Sequence, residues 1–151
     1  MSAPPRSHAQ RRRDSLRRLE HDVDVWVGTA SPEGAPHLVP LSFDWDGEAL
    51  LVATTVDSPT GRNLAATRTA RLALGGTRDV TMIDGDVQVL EMATVPAAVG
   101  DRFAARTGFD PRTLTTRYCW FRITPYRVQA WREENELSGR DLMRDGRWLG
   151  R

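Results

Sequence analysis

PHLVPLSFDWDGEALLVATTVDSPTGRNL, Pro36 to Leu64, decides the fold. Val39, Leu41, Phe43 and Trp45 recur at every second position, so they share one side of an extended strand. Pro40 inside that run cannot donate to a ladder, which places it at an edge or a bulge. Asp46-Gly47 is a hairpin signal, and EALLVATT is the returning strand. SPTGRNL, Ser58 to Leu64, then crowds hydrogen-bonding groups where a strand gives way to a helix. The cluster suits a helix start. It also suits a phosphate cradle: Ser58 and Thr60 supply hydroxyls, Gly61 a close backbone approach, Arg62 a bidentate pair and Asn63 an amide. Thr54 and Thr55 add hydroxyls from the end of the preceding strand. The loop is not a Walker A motif, because the spacing and the lysine are missing.

On the N-terminal side, DVDVWVGTAS sets Val23, Val25 and Val27 on one strand face and Trp26 on the other. SPEGAP (Ser31–Pro36) is a turn. On the C-terminal side, GRNLAATR reads as a short helix and ARLALGG as a strand closed by Gly75-Gly76. DVTMIDGDVQVLEMATV predicts a second hairpin, turning at Asp84-Gly85. PAAVGDRFAARTGF predicts a helix with Pro96 at its start. YCWFRITPYRVQAWRE holds one or two strands around Thr124-Pro125, and GRDLMRDGRWL a small hairpin at Asp145-Gly146. The expected class is mainly β with short helices: a six- to seven-stranded antiparallel barrel, closed or half open, since closure removes exposed edges.

The 151 residues fit one domain, and 40% hydrophobic residues fit a packed core. No apolar run approaches the ~20 residues that span a bilayer. The N-terminal segment lacks the apolar core of a secretory signal, so a cytoplasmic location is expected. Cys119 is the single cysteine, which rules out an internal disulfide. All 21 basic residues are arginine, so no side chain offers Schiff-base chemistry. Residues 1–21 carry +4 and the remainder −3. That arm is a solvated tail or a short amphipathic helix in which Leu16 and Leu19 pack on the barrel; nucleic acid is a less favoured partner. The expected division is therefore an Arg-rich arm or helix over 1–21 and a barrel domain over 22–151.

The order of parts, VWVGTAS, a Gly/Pro turn, the hairpin, SPTGRNL, ARLAL and finally FRITPYRVQAW, resembles the pyridoxamine 5′-phosphate oxidase-like, flavin-binding split β-barrel superfamily over roughly residues 22–132. The resemblance implies a homodimer with FMN at the subunit interface, or alternatively the deazaflavin coenzyme F-420. It implies that Arg62, Asn63 and Leu64 match the family's pattern beside the cofactor phosphate. Thr54, Thr55, Ser58, Thr60 and Gly61 would lie near that phosphate. His37, Val39, Pro40, Leu41 and Ser42 would run along the isoalloxazine ring, and Trp131 and Arg132 would approach from the partner subunit. The implied activity is hydride transfer between the flavin and a small organic substrate. A flavin, haem or other ligand carrier or sensor without turnover is the alternative class. Members that oxidise pyridoxamine phosphate are longer and end in an Arg-Leu-x-Pro segment; LMRDGRWLGR stands here instead, which speaks against that reaction.

WREENELSGRDLMRDGRW, Trp131 to Trp148, has three readings, one of them a dimer contact, because Trp and Arg are common interface anchors. Arg132, Asn135, Glu136 and Arg140 line a substrate mouth, or the segment is a turn whose Leu142 and Trp148 pack back on the barrel. His8, His21 and His37 stand at no metal-ligand spacing, so no metal is expected. His37 either donates a proton or bonds a backbone carbonyl. Cys119 reads as core rather than nucleophile. Asp84, Asp86 and Asp101 read as turn and helix-end residues.

Overall fold

A computed structural model describes residues 3–150. Alternating inward and outward residues build β1 (Asp24–Ala30) and β2 (Pro36–Trp45), which pair antiparallel with Val25 opposite Leu41 and Val27 opposite Val39. They are joined by β3 (Leu50–Thr55), β4 (Thr69–Gly76), β5 (Asp79–Leu90) and β6 (Tyr118–Trp131) in the order β3-β2-β1-β4-β5-β6, and β3 pairs with β6 to close the barrel. Two further strands, β7 (Asp141–Arg144) and β8 (Arg147–Trp148), extend the sheet beyond β6. The barrel is thus closed by six antiparallel strands, with eight strands among the described residues. Its interior is filled by residues such as Val27, Phe43, Leu72, Ile83, Phe121 and Ile123.

Two of the three Asp-Gly signals are turns. Gly47 and Gly146 have φ of +94° and +76°, the left-handed region that tight turns demand. Asp84-Gly85 is not a turn: β5 runs through it as one strand of 12 residues. Gly85 instead lies opposite Pro125 at a register shift. A Cβ on Gly85 would come within 2.5 Å of Ile123 Cγ2, so the bulge needs glycine for space. The missing N–H of Pro125 falls where the ladder is already interrupted, and β6 therefore continues as one strand of 14 residues.

Three α-helices pack on the barrel: α1 (His8–His21), α2 (Pro59–Thr67) and α3 (Ala97–Thr107). Ser7 caps α1 by accepting from Gln10 N–H at 3.1 Å. Leu19 is fully buried in the main core and Leu16 packs against it. Arg106 of α3 donates to the Leu19 and Asp22 carbonyls, satisfying the C-terminal end of α1. Phe103 of α3 meets Trp120 edge-on at 4.9 Å, forming a second small core with Leu51 and Ala53 on the outside of β3 and β6.

The segment before α1 is tied to the far end of β6. Arg6 donates to the Glu136 carboxylate through its backbone N–H (2.7 Å), Nε (3.1 Å) and Nη2 (2.8 Å). Arg132 N–H donates to the same carboxylate at 2.8 Å. Arg11 donates to the carbonyls of Ala130 and Glu136, and Asn135 to that of Ala3. Arg132 pairs with Asp79 at 3.0 Å, and Arg140 lies over the Trp131 ring. The charged segment after Trp131 is therefore engaged within the chain, with Leu142 fully buried and Trp148 packed on the core. Within one protomer this is the packing reading of the segment.

Candidate functional site

The site begins with a strand that loses a neighbour. β3 pairs with β2 only from Phe43 to Trp45, and from Leu50 to Thr55 it pairs with β6. The first part of β2 is left with β1 on one edge and, among the described residues, no strand on the other. Phe43 N–H donates to the Val23 carbonyl at 2.8 Å, and bonded pairs alternate along an antiparallel ladder. The polar backbone groups of Leu38, Pro40 and Ser42 therefore face the open edge. Pro40 sits where its missing N–H costs β1 no bond, as an edge proline should.

Two clefts lie along the unpaired part of β2, one beside Pro40–Ser42 and one beside Pro36 and His37. One, of about 250 Å³, is lined by Pro40, Leu41, Ser42, Ala53 and Thr54, with Phe103, Phe109 and Tyr118 opposite. The other, of about 400 Å³, is lined by Pro36 and His37 of β2, Pro59, Arg62 and Asn63 of α2, and the turn before β2. The start of α2 stands between them, with Thr54 Oγ1 and Ser58 Oγ 3.3 Å apart. His37 is half-buried and makes no side-chain hydrogen bond among the described residues; the expected bond to a backbone carbonyl is not formed. Phe109 and Tyr118, their rings 5.7 Å apart, were not predicted as site residues. Their only sequence signal is aromatic character at an element's end.

SPTGRNL is above all a helix start. Ser58 is the N-cap of α2: its hydroxyl accepts from Gly61 N–H at 3.0 Å and donates to the Thr55 carbonyl at 2.8 Å. Pro59 has no N–H to offer, Arg62 N–H bonds the Ser58 carbonyl, and Thr60 is buried. Asn63 is buried too, donating to Thr29 Oγ1 at 3.1 Å. The groups left to meet an anion are the exposed Arg62 guanidinium, which also donates to the Asp57 carbonyl, and the half-buried Thr54 and Thr55. A phosphate here would be recognised chiefly by side chains. Removing the cap, Ser58→Ala, should cost about 1 kcal/mol in urea unfolding. A loss below a few tenths would show that the hydroxyl does not hold the turn.

Trp131 and Arg132 lie elsewhere. β6 starts opposite Thr55 at Tyr118 and ends opposite Val80 at Trp131, so its 14 residues carry Trp131 ~40 Å along the strand from the gap. Cys119 is buried opposite Thr54. Burial pushes its thiol up, and the side chain packs within the main core. Among the described residues, no group of three or more His, Cys, Asp or Glu could hold a metal, and no helix is long and apolar enough to cross a membrane.

A six-stranded antiparallel barrel with one strand edge open beside a helix start defines a small split-barrel protein. Residues 16–132 match the family model described as Pyridoxamine 5'-phosphate oxidase, and the chain belongs to that family. No curated protein matches it. Among solved structures, an F420 reductase has a TM-score of 0.61 at 20% identity, with 73% of this chain and 91% of that one covered. A Listeria innocua protein assigned to the pyridoxamine 5'-phosphate oxidases has a TM-score of 0.64 at 14% identity, covering 80% and 98%. HutZ, the haem storage protein of Vibrio cholerae, has 0.58 at 17%, covering 75% and 88%. At such identities the likeness is one of fold.

Proposed function

We propose that this chain is a homodimeric flavoprotein that binds FMN at the seam between protomers and acts as a small oxidoreductase. The open edge of β2 beside the start of α2 is the observation that carries the reading. Leu38 and Ser42 turn N–H and C=O groups, and Pro40 its C=O alone, into the gap, and a flavin's pyrimidine edge needs such a row of donors and acceptors. Arg62, Thr54 and Thr55 stand at the end where a ribityl phosphate would fall. Phe109 and Tyr118 give the gap an aromatic wall. A bound flavin supplies the hydride chemistry; the chain's residues bind, orient and exclude water.

The seam rests on a second observation. Trp26 is 48% exposed and Leu38 62% exposed, and with Pro40 they form an apolar strip on the outer face of β1 and β2. A second copy would cover that strip and bring in Trp131 and Arg132, which cannot reach the gap within one protomer. The deazaflavin coenzyme F-420 is the second reading, supported by the likeness to an F420 reductase; it presents a phosphate to the same side chains. The haem storage protein among the similar structures supports a third, in which the barrel binds its ligand without turnover.

An absorption spectrum after incubation with FMN or the deazaflavin, then desalting, tests the reading. A retained band at ~450 nm assigns FMN and one at ~420 nm the deazaflavin; retention of neither sinks both. Reduction or oxidation of the bound cofactor by a small-molecule donor separates enzyme from carrier. Arg62→Ala should raise the cofactor's Kd by roughly 10- to 150-fold, the worth of a charge-assisted hydrogen bond. An unchanged Kd removes Arg62 from the site.

A further inference from the structure

The barrel has a second cleft, on its outer face and away from the open edge of β2. One cross-strand row runs Asp44, Leu51, Arg122, Gln88 over four adjacent strands. α3 covers the neighbouring Trp120 through Phe103. Its first turn, Pro96 and Val99, overhangs Leu51 and Leu90 and leaves a cleft of about 300 Å³. That volume is at the small end of ligand pockets.

The cleft's chemistry is asymmetric. Leu51, Leu90, Val95 and Val99 make it apolar, and two arginines reach it from different elements, Arg102 from α3 and Arg122 from β6. Both guanidiniums are held in place. Arg102 Nε donates to Asp44 Oδ2 at 3.0 Å and its Nη2 to the Trp45 carbonyl at 3.1 Å. Arg122 Nη2 donates to Asp46 Oδ2 at 3.0 Å. The carboxylates have little left to give. Asp44 Oδ1 accepts from Arg106, and Asp46 Oδ1 from the N–H groups of Glu48 and Ala49. Among the described residues, Arg102 Nη1 and Arg122 Nε donate to no protein acceptor. The cleft therefore holds unused donors over an apolar floor, with the arginine side chains already oriented.

We propose that this cleft is a second ligand site, for a small monocarboxylate with an aromatic or branched apolar body. The carboxylate would accept from the unused guanidinium N–H groups of Arg102 and Arg122, and the body would lie on Leu51, Leu90 and Val99. Asp44 and Asp46 line the cleft too, but each already accepts from an arginine, so a carboxylate finds free donors there while a cation finds its acceptors engaged and a neutral apolar ligand uses neither. The site does not depend on the cofactor reading.

The test is calorimetric titration of the full chain with 2-naphthoate, and with 2-naphthamide as the uncharged counterpart. The acid should bind at least tenfold more tightly than the amide. Arg102→Gln and Arg122→Gln should each weaken the acid by about tenfold or more, as loss of a charged hydrogen bond does. Asp44 keeps Arg106 in the first variant, and Asp46 keeps two backbone donors in the second, so neither carboxylate is stranded. Val99→Glu, a change on an exposed position of α3, should abolish binding of the acid. Saturating FMN should leave its affinity unchanged. No binding at millimolar 2-naphthoate, equal affinity for acid and amide, or insensitivity to the arginine variants would overturn the proposal. Displacement of 2-naphthoate by FMN would also overturn it, because the probe would then be occupying the gap beside β2.

Discussion

Replacing Glu136 with alanine lowers the unfolding free energy by about 3–5 kcal/mol, the cost of stranding a buried partner charge. Arg6 is only 4% exposed at its side chain and Glu136 2%. Four donor groups converge on that one carboxylate, three from Arg6 and one from Arg132. Alanine leaves all four without it; Asp14 at 3.0 Å and Asp79 at 3.6 Å retain part of the guanidinium's pairing, which favours the lower end of the range. In a domain of this size the melting temperature should fall by about 6–12 °C. A loss under 1 kcal/mol would mean that the segment before α1 detaches without cost.

The same carboxylate sets an acid limit. The hydrogen bonds from Arg6 outweigh burial and hold Glu136 down to about 2, against an ordinary value of 4.5. A folded value below the unfolded one means that its contribution is complete above pH 4.5 and is lost as the pH falls towards 2. In Glu136→Gln that part of the pH dependence should vanish, and difference curves of stability against pH for the two proteins measure it directly. Parallel curves from pH 5 to pH 2 would assign the acid loss to other carboxylates.

What the sequence reveals and what it hides divide along physical lines. Period-two alternation in β1 and β2 is local, so the sequence alone places Val25 with Val27 and Leu41 with Phe43 on one strand face, and the fold turns that face inward. The Asp-Gly pairs show the limit of local signals. Gly47 and Gly146 adopt positive φ and turn the chain, whereas Gly85 is needed only because Ile123 leaves no room for a side chain. Nothing within five residues of Asp84 tells these two uses of glycine apart. The Arg6–Glu136 tie joins residues 130 apart and has no local pattern at all. The candidate site was half legible for the same reason. Arg62 and Thr54 sit in the quoted stretch, but the open edge of β2 arises because β3 leaves β2 for β6, and Phe109 and Tyr118 reach the gap only through that tertiary arrangement.

Gly61→Ala should be the most damaging change within the α2 start, costing about 3 kcal/mol, the upper part of the range for overpacking. A Cβ at this position would lie 2.2 Å from the Thr55 carbonyl oxygen. That oxygen is backbone, and it already accepts from Ser58 N–H and Ser58 Oγ, so it cannot move without breaking the turn. The alternative is for α2 to withdraw, which pulls Gly61 N–H off the Ser58 hydroxyl and carries Arg62 with it. Gly61 is thus required for the closeness of the helix to its own preceding strand, whether or not a phosphate ever binds. Urea unfolding and cofactor titration, run on Gly61→Ala and Arg62→Ala together, separate scaffold from ligand. Gly61→Ala should lose both stability and cofactor affinity, because the turn and the guanidinium shift as one. Arg62→Ala, at an exposed position, should lose affinity alone. Gly61→Ala within 1 kcal/mol of the parent would show that the turn has slack, and Arg62 would then be held by something other than the Thr55–Ser58–Gly61 junction.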